Sequence, residues 1–498
     1  MKKVSSTFYI TLVAVILAVS YGVIAPKHFE EITSTIKNFI SDSFGWYYLL
    51  TVSMLFFVSV YLIFSPIGRI RLGKDNDRPQ FSMFSWLAML FSAGMGIGLV
   101  FYGAAEPLSH YAVDPATTVP ETKAAYKEAM RSTFFHWGFH AWSVYGITAL
   151  VLAYFQFRKG QPGLISATLR PIFGDRVDGK LGTVIDVFAI FATVFGVATS
   201  LGFGAVQINA GLNYLFKVPI GFWSQFIIIA IVTVLFLISA WSGLGKGIKI
   251  LSNANMILAF ALLIFIIALG PTLLIFNMFT DSIGGYLESL IRMSFRTAPL
   301  SPENRSWLDD WTLFYWAWWI AWAPFVGMFI ARVSKGRTIR EFMIGVLVVP
   351  TVLSMIWFSA FGTTAIETQR AGVIDLASTA TELTIFEMFS GLPWSFVISV
   401  VAILLITSFF ITSADSATFV LGMQSSHGSL TPPNNLKVVW GVIQSSIAII
   451  LLYVGGLDAL QNVIIIAALP FSIILIMMIV SLFKSLKEER KKVKVTRK

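Results

Sequence analysis

Apolar runs of about twenty residues follow one another along the whole chain, separated by short polar connections. A membrane-spanning helix needs roughly 20 predominantly apolar residues. The pattern predicts twelve spans, near 7–25, 46–65, 83–104, 134–157, 183–212, 222–242, 250–275, 311–332, 341–362, 394–421, 437–455 and 459–483. The first follows Met1-Lys2-Lys3; it is long for a signal-peptide core and no clear small-x-small cleavage site comes after it, so it is read as an uncleaved span. The chain is therefore expected to be one all-α integral membrane domain over 1–483, with two leading spans over 7–65 and a tail over 484–498. Residues 363–393, with Glu367, Asp375, Glu382 and Glu387 against Arg370, have helical periodicity and are expected to form a short amphipathic helix on the outer face. Residues 276–308 are read the same way.

Two spans break the apolar monotony. The third carries Gly94-Met95-Gly96-Ile97-Gly98, and the eighth carries Trp316-Ala317-Trp318-Trp319-Ile320-Ala321-Trp322-Ala323-Pro324. They lie five spans apart, so a five-span unit starting at each would have inverted topology. Such units would cover 83–275 and 311–483. Gly- or Pro-interrupted spans at matching places in two halves point to a midplane binding site.

Composition sharpens this. The 498 residues are 56% apolar and 12% charged, against about a quarter charged in soluble domains. The net charge of +10 fits either a nucleic-acid binder or a membrane protein. Its placement decides. Arg69, Arg71, Lys74 and Arg78, then Arg158, Lys159, Arg170, Arg176 and Lys180, then Arg332, Lys335, Arg337 and Arg340 fall on alternate connections. That is the positive-inside bias, with both termini cytoplasmic and no nucleic-acid partner. Cysteine is absent, which excludes disulfide and thiol chemistry. The tail from Lys484 to Lys498 is rich in Lys and Arg. It reads either as an ordinary positive-inside anchor or as a sensor touching anionic lipid, where each basic residue contributes roughly 1 kcal/mol.

Three sets of residues carry candidate chemistry. Glycines weaken a helix by about 1 kcal/mol each. The run at 94–98 can leave bare backbone facing a ligand, or it can serve close helix packing. The second set is aromatic: Trp311, Trp316, Trp318, Trp319 and Trp322 on one span, and Trp137, Trp142 and Tyr145 on another. At about 100° per residue, Trp137, Trp142 and Tyr145 cover an arc of about 140°, enough to wall a cavity. A cage of ring faces suits a trimethylammonium group, which makes no conventional hydrogen bond and keeps its charge at every pH; cation–π contact there is worth about 2 kcal/mol when desolvated. Space-filling between helices is the plainer role. The third set is oxygen-bearing: Thr412-Ser413-Ala414-Asp415-Ser416 in the tenth span and Thr193 in the fifth. Sodium, a hard cation, takes oxygen ligands, although Ser and Thr also bond back to their own helix. Asp415 inside a span is a functional candidate or a hydrogen-bond hub. Glu106 is expected at the interface, and His136 and His140 in packing roles with no acid or further histidine around them.

Taken together, the glycine run through Leu99-Val100-Phe101-Tyr102-Gly103, His136-Trp137, the Trp311–Pro324 stretch, Arg337-Thr338-Ile339-Arg340-Glu341-Phe342 and Thr412-Ser413-Ala414-Asp415-Ser416 resemble the betaine/choline/carnitine transporter family over nearly the whole chain. The likeness is strongest to sodium-coupled glycine betaine transporters of the Bacillus and Staphylococcus type. The resemblance implies a LeuT-like fold, with an inverted repeat of five helices over spans 3–7 and 8–12, and a homotrimer. It implies a cage of Trp137, Trp142, Tyr145 and Trp319, with Trp322 on the substrate path and the backbone of Ala93, Gly94 and Gly96 at the substrate carboxylate. One sodium is implied between Ser92, Met95, Phe409, Thr412 and Ser413, and a second near Thr193 and Phe325. Val197 stands where the resemblance implies a second threonine, and a valine has no oxygen to offer. Gly98 stands where proton-coupled choline members tend to carry Asp.

The implied activity is import of glycine betaine, a compatible solute, by sodium symport for osmoprotection, in a bacterial cell membrane. Sodium is the coupling ion and no cofactor is implied. The alternative is a proton-coupled or exchanging transporter of choline or carnitine in the same fold. An enzyme acting on choline lipid would need a nucleophile–base pair or a metal cluster, and a channel would need an open pore.

Overall fold

A computed structural model describes residues 4–94, 96–242 and 247–496, with the side chains of residues 88, 91–94, 242, 247–250 and 490–496 outside that description. The described residues are mostly helical and contain no strand beyond one isolated bridge, Arg71 to Thr338. In order, the helices are α1 (Ser6–Ile24), α2 (Pro26–Phe64), α3 (Met83–Gly94), α4 (Ile97–Leu108), α5 (Lys123–Trp137), α6 (Phe139–Ala153), the short α7 (Arg170–Phe173), α8 (Lys180–Phe216) and α9 (Phe222–Ser242). They continue with α10 (Gly247–Leu269), α11 (Thr272–Ser294), the short α12 (Pro302–Trp307), α13 (Phe314–Val333), α14 (Ile339–Arg370), α15 (Thr384–Ser390), α16 (Ser395–Gln424) and α17 (Asn434–Thr496).

Ten helical stretches among the described residues are long and apolar enough to cross a membrane. The expected twelve differ from these ten at two places, both set by glycine. The third expected span is two twelve-residue helices, α3 and α4, on either side of Gly96, whose extended backbone opens α4. The last two expected spans form one continuous stretch interrupted at Gly455 and Gly456, the latter with φ of 58°. Glycine enters that left-handed region without the steric cost of a Cβ.

Other boundaries depart from the sequence pattern for physical reasons. Helix α2 starts about twenty residues before the expected second span. Pro26 sits in its first turn, where a missing N–H costs nothing, and its polar beginning belongs to no apolar run. Residues 276–308 are not a loop with a short helix: α11 fills most of that stretch, with Ile275, Ser282, Tyr286, Leu290 and Ser294 buried along one face. Of 363–393, only α15 is a separate helix, since α14 runs on to Arg370. At the far end, Glu489 accepts hydrogen bonds from Tyr154 (2.8 Å), Lys159 (2.9 Å) and Arg158, tying α17 to the end of α6.

The site is placed by a third discontinuity. Helix α5 ends at Trp137 and α6 begins at Phe139, with Gly138 at φ −95°, ψ −140° between them. A Cβ on Gly138 would lie 2.4 Å from the carbonyl of Phe134 and 2.9 Å from the Tyr286 hydroxyl. That hydroxyl instead accepts the Phe139 N–H at 3.2 Å. The glycine break, capped from α11, presents Trp137 toward the centre.

Candidate functional site

Three elements meet at a small buried cavity: the start of α4, the end of α5 and the middle of α13. Gly96, Gly98, Leu99, Trp137, Trp318, Trp319 and Trp322 line it, and its volume is about 10 Å³. That is room for about one water, so in this conformation the rings close on each other. Trp318 and Trp319 stack with 7° between planes and centroids 5.2 Å apart, and Trp137 meets Trp319 edge-on at 5.0 Å.

The indole N–H groups all point away from the cavity. Trp137 donates to Glu106 Oε2 (2.7 Å), Trp318 to Ser200 Oγ (3.2 Å), Trp319 to the His136 carbonyl (3.0 Å) and Trp322 to the Gly196 carbonyl (2.8 Å). Each polar edge is satisfied elsewhere, and the cavity is left facing ring surface and glycine backbone. The ring faces offer no side-chain donor and favour a bulky cation without N–H groups, while the glycine backbone at the start of α4 is the polar part of the lining.

The residues expected at the site fall in several places. Trp137, Trp319, Trp322 and Gly96 form the wall. Tyr145 stands one ring back, edge-on to Trp319 at 6.0 Å, and Trp142 stands behind Tyr145 at 5.7 Å; neither lines the closed cavity. Met95 lies outside the described residues, as do the side chains of Ser92, Ala93 and Gly94. Ser413 is brought to the glycine break: a Cβ on Gly96 would stand 3.6 Å from Trp322 and 3.7 Å from Ser413 Oγ. Thr412 Oγ1 donates to the Ser408 carbonyl and accepts from Asn255 Nδ2, both at 2.9 Å, and Phe409 is buried beside it.

Helices α8 and α13 run antiparallel in a readable register. Phe203 packs on Phe314, Ser200 holds Trp318 and Gly196 holds Trp322. Phe325 packs edge-on against Trp322 at 5.6 Å. Thr193 is buried and donates to the Ala189 carbonyl at 2.9 Å, keeping lone pairs free. Val197, one turn further along α8, is fully buried. Asp415 behaves as a hub, accepting from Ser239 at 2.5 Å and receiving the Thr418 hydroxyl on its carbonyl.

Two expectations are overturned here. Glu106 is not interfacial; its exposure is 0%. Nor does His136 lack an acid: its Nδ1 lies 2.7 Å from Glu106 Oε1, and His110 Nε2 lies 3.4 Å from the same oxygen. The three ligand atoms fall within 4.8 Å of one another, a spacing that can hold a metal ion, although the carboxylate already accepts from Trp137 and from Tyr315 at 2.5 Å. The sequence carried one signal for this cluster: Glu106 and His110 share a helix face at i, i+4. Trp318 and Gly98, from the aromatic set and the glycine run but not among the implied site residues, also line the wall, as does Leu99. His140 does pack, stacked on Trp316 at 10° and bonded to Ser294 at 2.9 Å.

Long apolar helices packed around a small aromatic cavity, beside spans broken at glycine, define a multi-pass membrane carrier. The model of the betaine/carnitine/choline family of transporters matches residues 6–491, and the chain belongs to that family. It is a transporter and not an enzyme. It is 58% identical over its whole length to the glycine betaine transporter OpuD of Bacillus subtilis, covering 97% of that protein. It is 42% identical to a probable glycine betaine transporter of Desulfitobacterium hafniense, over 98% of both chains. It is also 42% identical to the ectoine/hydroxyectoine transporter of Virgibacillus pantothenticus, over 97% of both.

Proposed function

We propose that this transporter imports glycine betaine together with sodium across a bacterial cell membrane, as a compatible solute under osmotic stress. The observation that carries the reading is the cavity wall of four indoles whose N–H groups are all committed elsewhere. A trimethylammonium group fits such faces. The bare backbone at Gly96 offers the matching place for a carboxylate, with the side chains of Trp142 and Tyr145 joining the cage as it opens.

The architecture we infer has twelve spans, counting α3 and α4 as one broken span and α17 as two. Both termini are cytoplasmic, the repeats 83–275 and 311–483 are inverted, and the assembly is a homotrimer. One repeat rocks against the other around the fixed site. Sodium takes oxygen ligands near Thr412, Ser413 and Phe409, with the backbone of Ser92 and Met95, and a second ion lies between Thr193 and Phe325. Each sodium entering across 100 mV contributes about 2.3 kcal/mol, and a tenfold gradient adds about 1.4 kcal/mol. Two ions then support about five decades of accumulation and one about half as many. Val197 narrows the second site to a single side-chain hydroxyl.

The test is uptake of labelled glycine betaine into proteoliposomes, first with an inward sodium gradient and then with sodium replaced by potassium. Concentrative uptake that needs sodium is expected. Uptake indifferent to sodium would remove both ion sites and leave the proton-coupled or exchange alternative.

A further inference from the structure

We propose that Glu106 tunes the cage electrostatically: its buried charge makes the ring faces of Trp137, Tyr315 and the stacked pair behind them richer in electrons, and so selects a cation. The inference rests on the cage being the betaine site.

Glu106 sits on α4, two turns past Gly98, and is wholly buried. Every polar neighbour donates to it or can. Oε2 accepts the Trp137 N–H at 2.7 Å and the Tyr315 O–H at 2.5 Å, while Oε1 faces His136 Nδ1 at 2.7 Å. An ionised carboxylate is acceptor-only, so this set of donors matches the anion. His136 needs no second proton. With Nδ1–H on Glu106, its Nε2 accepts from the Thr312 hydroxyl at 3.0 Å. Among the described residues only histidines lie within ion-pair distance of Glu106, and neither a lysine nor an arginine does.

The charge is therefore shared with rings instead of being cancelled by a fixed cation. A donor bonded to an anion passes electron density into its own ring. Trp137 is a cavity wall. Tyr315 lies near-parallel, at 20°, to both Trp318 (6.3 Å) and Trp319 (5.7 Å), which are the opposite wall. The quadrupole that attracts a cation is thus deepened on both sides. An anion buried in a span is expensive unless paired, and a quaternary ammonium in the cage supplies the missing counter-charge one ring away. A purely structural Glu106 would hold the rings in place for any ligand; a tuning Glu106 acts on charge alone.

That difference sets the experiment. Glu106→Gln keeps the shape and an oxygen for Trp137 and Tyr315 but removes the charge. Two probes are measured on purified protein by tryptophan fluorescence and by competition: glycine betaine, and 3,3-dimethylbutanoate, in which an uncharged tert-butyl group replaces trimethylammonium. Betaine binding is expected to weaken about tenfold, while the isostere holds or improves. Parallel weakening of both, or of neither, overturns the proposal. If Glu106→Gln does not fold, Tyr315→Phe cuts one ring from the carboxylate; a smaller fall in the betaine-to-isostere ratio is expected, and an unchanged ratio overturns the proposal. Failure of the unmodified protein to bind betaine would instead sink the cage reading itself, before any variant is made.

Discussion

The cage makes a demand on Gly98 that it does not make on Gly96, two residues earlier. A methyl group built on Gly98 would lie 2.5 Å from Cη2 of Trp318 and 3.1 Å from Cη2 of Trp137, against an ordinary carbon contact of about 3.5–4.0 Å. Neither ring has room to retreat. Trp318 is stacked on Trp319 and bonded to Ser200, and Trp137 is bonded to Glu106. Relief needs a shift of about 1 Å in a packed wall, and overpacking of this kind costs about 1–3 kcal/mol. At about 1.4 kcal/mol per decade, that is roughly a 5- to 150-fold loss of affinity. The same substitution gains about 1 kcal/mol of helix propensity, which offsets part of the overpacking, so the net loss of stability should not exceed about 2 kcal/mol. On Gly96 the new methyl would stand 3.6 Å from Trp322 and 3.7 Å from Ser413, which is ordinary contact. Uptake of labelled glycine betaine in proteoliposomes, with KM and Vmax resolved and unfolding temperature recorded, tests the pair. Gly98→Ala should raise KM at least several-fold, and Gly96→Ala should stay near the unmodified value. Equal damage from both would mean that the segment needs glycine flexibility and not a closed wall; a normal KM for Gly98→Ala would refute the cavity as the binding site.

Three further outcomes are expected. Trp319→Leu should abolish uptake while leaving membrane insertion and elution profile intact, because it removes the ring that meets Trp137, Trp318 and Tyr145; near-normal uptake would remove the cage. Val197→Thr should tighten the apparent affinity for sodium by adding a hydroxyl one turn from Thr193, and an unchanged sodium dependence would place the ion elsewhere. Gly456→Ala should lower stability by roughly 1–3 kcal/mol, since its φ of 58° disfavours a Cβ; an unchanged unfolding temperature would show that the break in α17 can be remade.

Much of this was legible along the chain. The spans stood out as apolar runs, the broken third span as a glycine cluster, and Trp137, Trp319 and Trp322 as wall candidates because rings at mid-span lack an interfacial reason. The eighth span, expected to be interrupted at Pro324, is instead one continuous helix, Phe314–Val333. What escaped was long-range. Glu106 closes an apolar run, where acids ordinarily face water, and its partners Trp137 and Tyr315 lie 31 and 209 residues away. Helix α11 was expected only as a short amphipathic helix, and its full extent, Thr272–Ser294, was missed. The antiparallel register of α8 on α13, with Trp318 on Ser200 and Trp322 on Gly196, depends on small residues whose meaning appears only once the helices are paired. Trp142 shows the converse: helical angle alone gave it a place on the wall, and packing set it two rings back.

The burial pattern carries a consequence for how the protein is made. The two least apolar of the candidate spans, Lys123–Arg158 and Pro302–Val333, are also the most enclosed, with 94% of the best window of each buried. They supply Trp137 and the α13 tryptophans. Spans such as Phe222–Trp241 and Leu251–Leu269, by contrast, are 22% buried and face outward. A segment bearing Glu128, Arg131, His136 and His140 partitions poorly into lipid by itself, so the binding chemistry is written on the helices that the bilayer accepts least readily. Lys123–Arg158 packs largely on the later helices α11, α13 and α14, which makes completion of the substrate site a late step of biogenesis. Chains interrupted before α13 should therefore expose Lys123–Arg158 to quality control instead of accumulating as half-built carriers.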